Sequence, residues 1–99
     1  MPVVQVREAV NYSKEYPSPN MIFNSAKLRV LVLGLEAGQS IPAHPSAEAF
    51  FYVVEGRGLF TVGEEEKEVG AGSLVVAPDG VKRGMKATEK LLVVATQAS

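Results

Sequence analysis

GAGSLVVAPDGVKR, Gly70 to Arg83, decides how the rest of the chain is read. Gly70-Ala71-Gly72 is a tight turn. Leu74 to Ala77 is a short apolar run rich in valine, expected as a buried strand. Pro78-Asp79-Gly80 is a strong turn tripeptide: proline presets φ, aspartate can bond its own backbone, and glycine accepts positive φ. A strand held between two turns is the punctuation of an all-β fold. Downstream, VKRGMKA and EKLLVVATQ close the chain as two further strands.

The same pattern extends upstream. In KLRVLVLGLEAG, Lys27 to Gly38, the residues Leu28, Val30 and Val32 share one face of a strand and Leu31, Leu33 and Leu35 the other. Both faces are apolar, so both should be covered. Ala37-Gly38-Gln39-Ser40 is a turn. AFFYVVEG is the next strand, and Gly56 with Gly58 frames a hairpin into LFTVG. GEEEKE reads as a solvated turn tip. Tyr12 to Asn20, with two prolines, is a loop. Met21 to Ser25 and Val3 to Val6 are candidate short strands. No segment has helical periodicity. Eight or more strands at a spacing of about 8–12 residues predict an all-β sandwich or barrel.

Composition narrows the class. The chain has 99 residues, 46% of them apolar, and one domain spanning residues 1–99 is expected. Trp is absent, and four Phe with three Tyr are the only aromatics, so the core must be mostly Val, Leu, Ile and Ala. Phe50, Phe51, Tyr52 and Phe60 are expected mainly as core packing. A net charge of −1 gives no electrostatic case for nucleic acid or an anionic membrane. With no cysteine there is neither a disulfide framework nor thiolate chemistry. The N-terminal stretch lacks the basic-then-apolar pattern of a signal peptide, and no segment is long enough to span a bilayer. A cytoplasmic location is the expectation. A chain this small gains from pairing with a second copy, so a homodimer is expected, through the N-terminal segment or the Lys27–Glu36 strand.

AHPSAEAFFYVVEG, Ala43 to Gly56, holds the chain's one histidine. His44 followed by Glu48 resembles the start of a metal site, but a catalytic zinc needs three protein ligands and non-haem iron two histidines with a carboxylate. His44 can also contact a substrate, act as an acid or base, or simply end a strand. Alternation puts Ala49, Phe51 and Val53 on one face and Glu48, Phe50 and Tyr52 on the other; only a bulge would return Glu48 to the interior. Arg83 is a permanent cation that does not ligate metals. Pointing inward it needs an anion; pointing outward it joins Lys82 and Lys86 in a solvated patch. Met85 would share its face.

These segments resemble the cupins, a family of small β-barrels. The family's first motif is a glycine, five residues, a His-x-His pair, then a glutamate placed seven residues before a second glycine. Here Gly38 is followed after five residues by His44, and the stretch ends on Gly56. The second motif is a glycine, five residues, Pro-x-Gly, two residues and a histidine. Gly72, Pro78-Asp79-Gly80 and position 83 reproduce that skeleton. The resemblance covers about Lys27 to Val94, and it implies a jelly-roll barrel of two antiparallel sheets.

It also implies a metal-ligand set that this chain lacks. The second histidine's position holds Ser46, the glutamate's holds Ala49, and the last histidine's holds Arg83. Glu48 stands one place early, so the loop is one residue short. His44 and Glu48 are the weak metal candidates that remain. The leading expectation is therefore a barrel without a tightly held metal or other cofactor. It would bind a small anionic or sugar-like molecule through His44, Ser46, Tyr52, Arg83 and Met85. The alternatives are an enzyme or a structural or interaction module. The enzyme would be an oxygenase or isomerase using a divalent transition metal on a reduced ligand set, or a metal-free isomerase or lyase using His44.

Overall fold

The computed structural model describes residues 3–99. Nine strands follow a short helical turn, α1 (Val6–Ala9). They are β1 (Ser18–Asn24), β2 (Leu28–Leu35), β3 (Ser40–His44), β4 (Ala49–Glu55), β5 (Arg57–Val62), β6 (Glu65–Gly70), β7 (Leu74–Ala77), β8 (Arg83–Ala87) and β9 (Leu91–Ala98). All pair antiparallel in two sheets, ordered β1-β2-β9-β4-β7 and β3-β8-β5-β6. The sheets face each other as a jelly roll.

The core fills the space between them. Leu33, Leu35, Phe51, Val53, Phe60, Met85, Leu91 and Val93 form one buried cluster, with Leu31, Ile41, Val62, Val69 and Val75 packed against it. Phe51 and Phe60 meet across the sandwich at 5.4 Å between ring centroids, tilted by 55°. That is a tilted aromatic pair within the distance range of favourable ring contacts.

Both faces of β2 are covered towards its C-terminal end, as its two apolar faces require. Leu33 and Leu35 enter the core, while Val32, on the opposite face, is also buried. The cover is the chain's own N-terminal segment. A Cβ placed on Gly34 would lie 2.1 Å from the Asn11 carbonyl oxygen, so only glycine admits this contact. Asn20 Nδ2 donates to the Ala9 carbonyl and Arg7 pairs with Glu55, fixing the same segment.

Five local expectations are corrected. Val3 to Val6 is not a strand: it leads into α1, because its backbone lies outside both sheets. Gly56 and Gly58 do not frame a hairpin. β4 pairs with β9 and β7, whereas β5 pairs with β6 and β8, so Gly56 carries the chain from one sheet to the other. Its φ is +91°, and a Cβ there would lie 2.0 Å from the Lys90 carbonyl oxygen. GEEEKE is mostly strand: the turn is Gly63-Glu64, and Glu65 to Glu68 pair with β5 as a charged edge, which discourages strand-to-strand aggregation. β7 is not buried. Leu74 and Val76 are 60% and 63% exposed, because β7 edges its sheet and only Val75 and Ala77 face inward. Phe50 and Tyr52 likewise lie on the sheet's outer face instead of in the core.

Candidate functional site

Two ledges face each other at one end of the barrel. Residues paired directly across antiparallel strands project from the same face. On the larger sheet the register aligns Asn24, Arg29, Gln97, Ala49 and Ala77. On the smaller sheet it aligns His44, Arg83, Val62 and Glu65. The Ser46–Ala47 loop and the Pro78–Lys82 turn close over this end.

Arg83 is the anchor of the end. It is buried, on the inward face it shares with Met85 and Ala87. The reading in which it joins Lys82 and Lys86 in a solvated patch is overturned by that burial. Its Nε donates to the Val81 carbonyl at 2.9 Å and Nη1 to the Ala47 carbonyl at 2.9 Å. Nη2 donates to the carbonyls of Ser46 and Pro78, each at 3.1 Å. Four of the five guanidinium hydrogens thus have acceptors. Among the described residues these acceptors are all backbone carbonyls. The Gly80 N–H donates to the same Ser46 carbonyl at 2.8 Å. Arg83 therefore ties together the two loops that follow the first and second motifs, and the protein itself supplies the acceptors its charge requires.

Arg29 differs. It is half-buried, and its Nε is buried with no hydrogen-bond partner among the described residues. It projects from the face of Leu31, Leu33 and Leu35. Beside it, Gln97 donates from Nε2 to Ser46 Oγ at 2.9 Å. The end of the barrel thus offers one guanidinium with an unmatched donor, an amide and a hydroxyl.

The other sequence candidates are scattered. His44 is exposed at the rim, and its Nδ1 donates to the Pro42 carbonyl at 3.0 Å. Ser46 lies at the site. Met85 is buried in the core two residues from Arg83. Tyr52 is corrected: it points away from the barrel, opposite Leu74 and Val94, because it alternates with the inward Phe51 and Val53. Glu48 is exposed on that same outer side, and no bulge turns it inward. Sequence reading missed Arg29 and Gln97. The signal for Arg29 was present: two residues before Leu31, it continues the inward series as its one charged member.

These donors do not fit a transition metal. Among the described residues no three His, Cys, Asp or Glu side chains come together. The positions in the family's ligand pattern hold one imidazole, a hydroxyl, a methyl and a guanidinium engaged with carbonyls. Two hollows lie elsewhere. One, of about 520 Å³, is on the outer face of the larger sheet between Leu28, Phe50, Leu74, Val76 and Thr96. The other, of about 530 Å³, lies between the edge strands β6 and β7. No helix among the described residues is long and apolar enough to cross a membrane.

Comparison with known proteins agrees with this architecture. A family model described as a cupin domain matches residues 31–95. A protein of Thermus thermophilus is 25% identical, with a TM-score of 0.90 over 99% of this chain and 98% of that one. An RmlC-like cupin of Desulfovibrio desulfuricans is also 25% identical, with a TM-score of 0.89 over 99% of this chain and 96% of that one. A conserved protein of unknown function from Streptococcus pyogenes is 21% identical, with a TM-score of 0.88 over 99% and 87%. No curated protein matches the chain.

Proposed function

This chain belongs to the cupin-domain family, and from that premise we propose that it binds a small anionic molecule beside Arg29 at the loop-covered end of its barrel, without a tightly held metal. The observation that carries this reading is the buried Arg29 Nε, which has no acceptor among the described residues. An unpaired buried donor costs about 1–3 kcal/mol, more when the group is charged. A carboxylate or phosphate oxygen relieves that cost, and a planar guanidinium takes such a group through two parallel hydrogen bonds.

The neighbours of Arg29 suit the rest of such a molecule. The Gln97 amide and the Ser46 hydroxyl, already hydrogen-bonded to each other, supply neutral donors and acceptors for ligand hydroxyls. Ala49 and Ala77 are the smallest side chains on the ledge that continues from Gln97. His44 adds a polar group at the rim. Arg83 holds the loops and is not the anion-binding cation in this reading.

The test is a thermal-shift screen of carboxylates, phosphates and sugar acids at constant ionic strength, on wild type and Arg29→Met. Binding to the native state alone raises the melting temperature by linkage. Wild type should respond to at least one anion and Arg29→Met to none. A wild type indifferent to the whole set defeats the reading. An equal response in both proteins removes Arg29 from it.

A further inference from the structure

Each sheet ends in two edge strands, β1 and β7 in the larger, β3 and β6 in the smaller. An unpaired edge is a template for another strand, and proteins protect edges with prolines or charges. Here β1 contains Pro19, β3 contains Pro42, and β6 begins Glu65-Glu66-Lys67-Glu68. β7, Leu74-Val75-Val76-Ala77, contains neither a proline nor a charge. Among the described residues it is the unguarded edge.

Its backbone is free on the side away from β4. The Val53 N–H donates to the Ser73 carbonyl at 2.9 Å and the Gly72 N–H to the Val53 carbonyl at 2.8 Å, so Val53 turns its backbone groups towards β7. Along an antiparallel strand, successive residues turn these groups to opposite sides. Phe51 and Ala49 therefore bond to Val75 and Ala77, which stand opposite them. Leu74 and Val76 are left to turn an N–H and a C=O each to the free edge. Beside that edge lies the hollow of about 530 Å³ between β6 and β7. Its floor is apolar: Phe60 is buried, and Val62, Val69 and Val75 pack against the core. Its far lip is acidic. Glu65 and Glu68 border it, and Lys67 between them lies 3.8 Å from Glu65. Glu68 has no ion pair among the described residues.

We propose that the β7 edge docks a basic, extended peptide segment of another protein, added as a further strand to the larger sheet. In this mode main-chain hydrogen bonds give affinity and alternate side chains give specificity. Leu74 and Val76 supply the main-chain bonds. The hollow takes apolar side chains of the segment, and the long lysines or arginines alternating with them reach Glu65 and Glu68. Charge selects this occupant. The carboxylates of β6 repel an acidic strand. The β7 edge of a second copy brings no cation, and its β6 adds further carboxylates to the same place. The charges that guard β6 thus choose the partner of β7.

The probe is a capped, labelled peptide alternating valine and lysine, followed by fluorescence anisotropy. Wild type should bind it, and should bind the glutamate counterpart about tenfold more weakly or worse, each exposed ion pair being individually weak. The double variant Glu65→Lys, Glu68→Lys should lose affinity for the lysine peptide by a similar factor. N-methylation of alternate peptide amides separates strand addition from charge adhesion. In one pattern it blocks the amides that face β7 and should abolish binding; in the other it should spare most of it. Exchange of the Leu74 and Val76 amide protons should slow when the peptide binds. Val76→Pro removes one edge N–H where an edge strand tolerates proline, and should keep its fold while losing the peptide. The methylated peptides need no protein variant, so they decide the matter even where Val76→Pro unfolds. A wild type indifferent to the lysine peptide overturns the proposal. So does an identical response to both methylation patterns, or equal binding of the lysine and glutamate peptides. Binding of phenethylamine in the peptide's stead gives the hollow to a small apolar cation and overturns it equally.

Discussion

The Nη1 of Arg83 donates to the carbonyl of Ala47 at 2.9 Å, joining residues 36 positions apart in the chain. With its three companion bonds, it makes Arg83 a strut between the β3–β4 and β7–β8 loops. Arg83→Ala removes the donors and strands several carbonyls in a buried place. Hydrogen bonds from a charged group are worth about 1.5–3 kcal/mol each, and not all are lost at full value. A destabilisation of about 3 kcal/mol is expected, roughly 10–20 °C in melting temperature for a domain of this size. Arg83→Lys keeps the charge without the fork and should recover less than half. An alanine variant that melts within about 2 °C of wild type by calorimetry would show that the strut contributes nothing.

Phe51 and Phe60 are the contact that joins the two sheets at mid-barrel. Truncating either leaves a cavity that neighbours on two hydrogen-bonded sheets cannot collapse to fill. Phe60→Ala should cost about 3–5 kcal/mol in urea unfolding. The double variant should cost less than the sum, because the second truncation no longer breaks the ring contact. Strict additivity would show that the pair acts as two independent side chains.

Tyr12 makes stability depend on alkaline pH. Its hydroxyl pKa is raised, first by burial and then by the carboxylates of Glu55 and Glu36. Its ring lies 4.2 Å from Lys90 Nζ. The folded state favours the neutral phenol, so the native chain holds its proton more tightly than the unfolded chain. The contribution is fully present below the unfolded value near 10 and is lost as pH rises through the higher folded value. Unfolding curves from pH 8 to 11 should show wild type losing stability more steeply than Tyr12→Phe above about pH 10. Parallel curves would remove Tyr12 as the cause.

The sandwich was legible because its signals are local. Leu31, Leu33 and Leu35 alternate with Val30 and Val32, and Pro78-Asp79-Gly80 is a turn in any context; Gly80 has φ +77°. Strand pairing was not legible at Gly56. A glycine between two strands reads the same whether it closes a hairpin or crosses to the opposite sheet, and only the distant β9 decides. Exposure of β7 depended on which strand became the sheet's edge. At the site, the identity of Arg83 was visible but its acceptors were not, since backbone carbonyls have no signature in the sequence. Arg29 was overlooked because a cation inside an apolar run resembles an interruption, although its parity with Leu31 placed it inside.

The last prediction concerns metal, and it follows from what Arg83 replaces. In the family's pattern a histidine stands at this position and a metal ion links the motif-bearing loops. Here a guanidinium links them through the carbonyls of Ser46, Ala47, Pro78 and Val81. The two solutions exclude each other, because guanidinium cannot ligate and its positive charge repels a cation. Protein purified without a histidine tag should carry well under one transition-metal ion per chain, and a chelator should leave its melting temperature unchanged. The converse substitution is the stronger test. Ser46→His, Ala49→Glu and Arg83→His, combined with the native His44, restore the family's four ligands, three histidines and a glutamate, at its positions. Without metal that variant should melt below wild type, since the strut is gone. Added zinc or manganese should recover much of the difference, because ligand binding and folding are coupled in such sites. Stoichiometric metal in the wild type, lost in His44→Ala, would refute the exchange. So would a triple variant whose melting temperature ignores every metal offered to it.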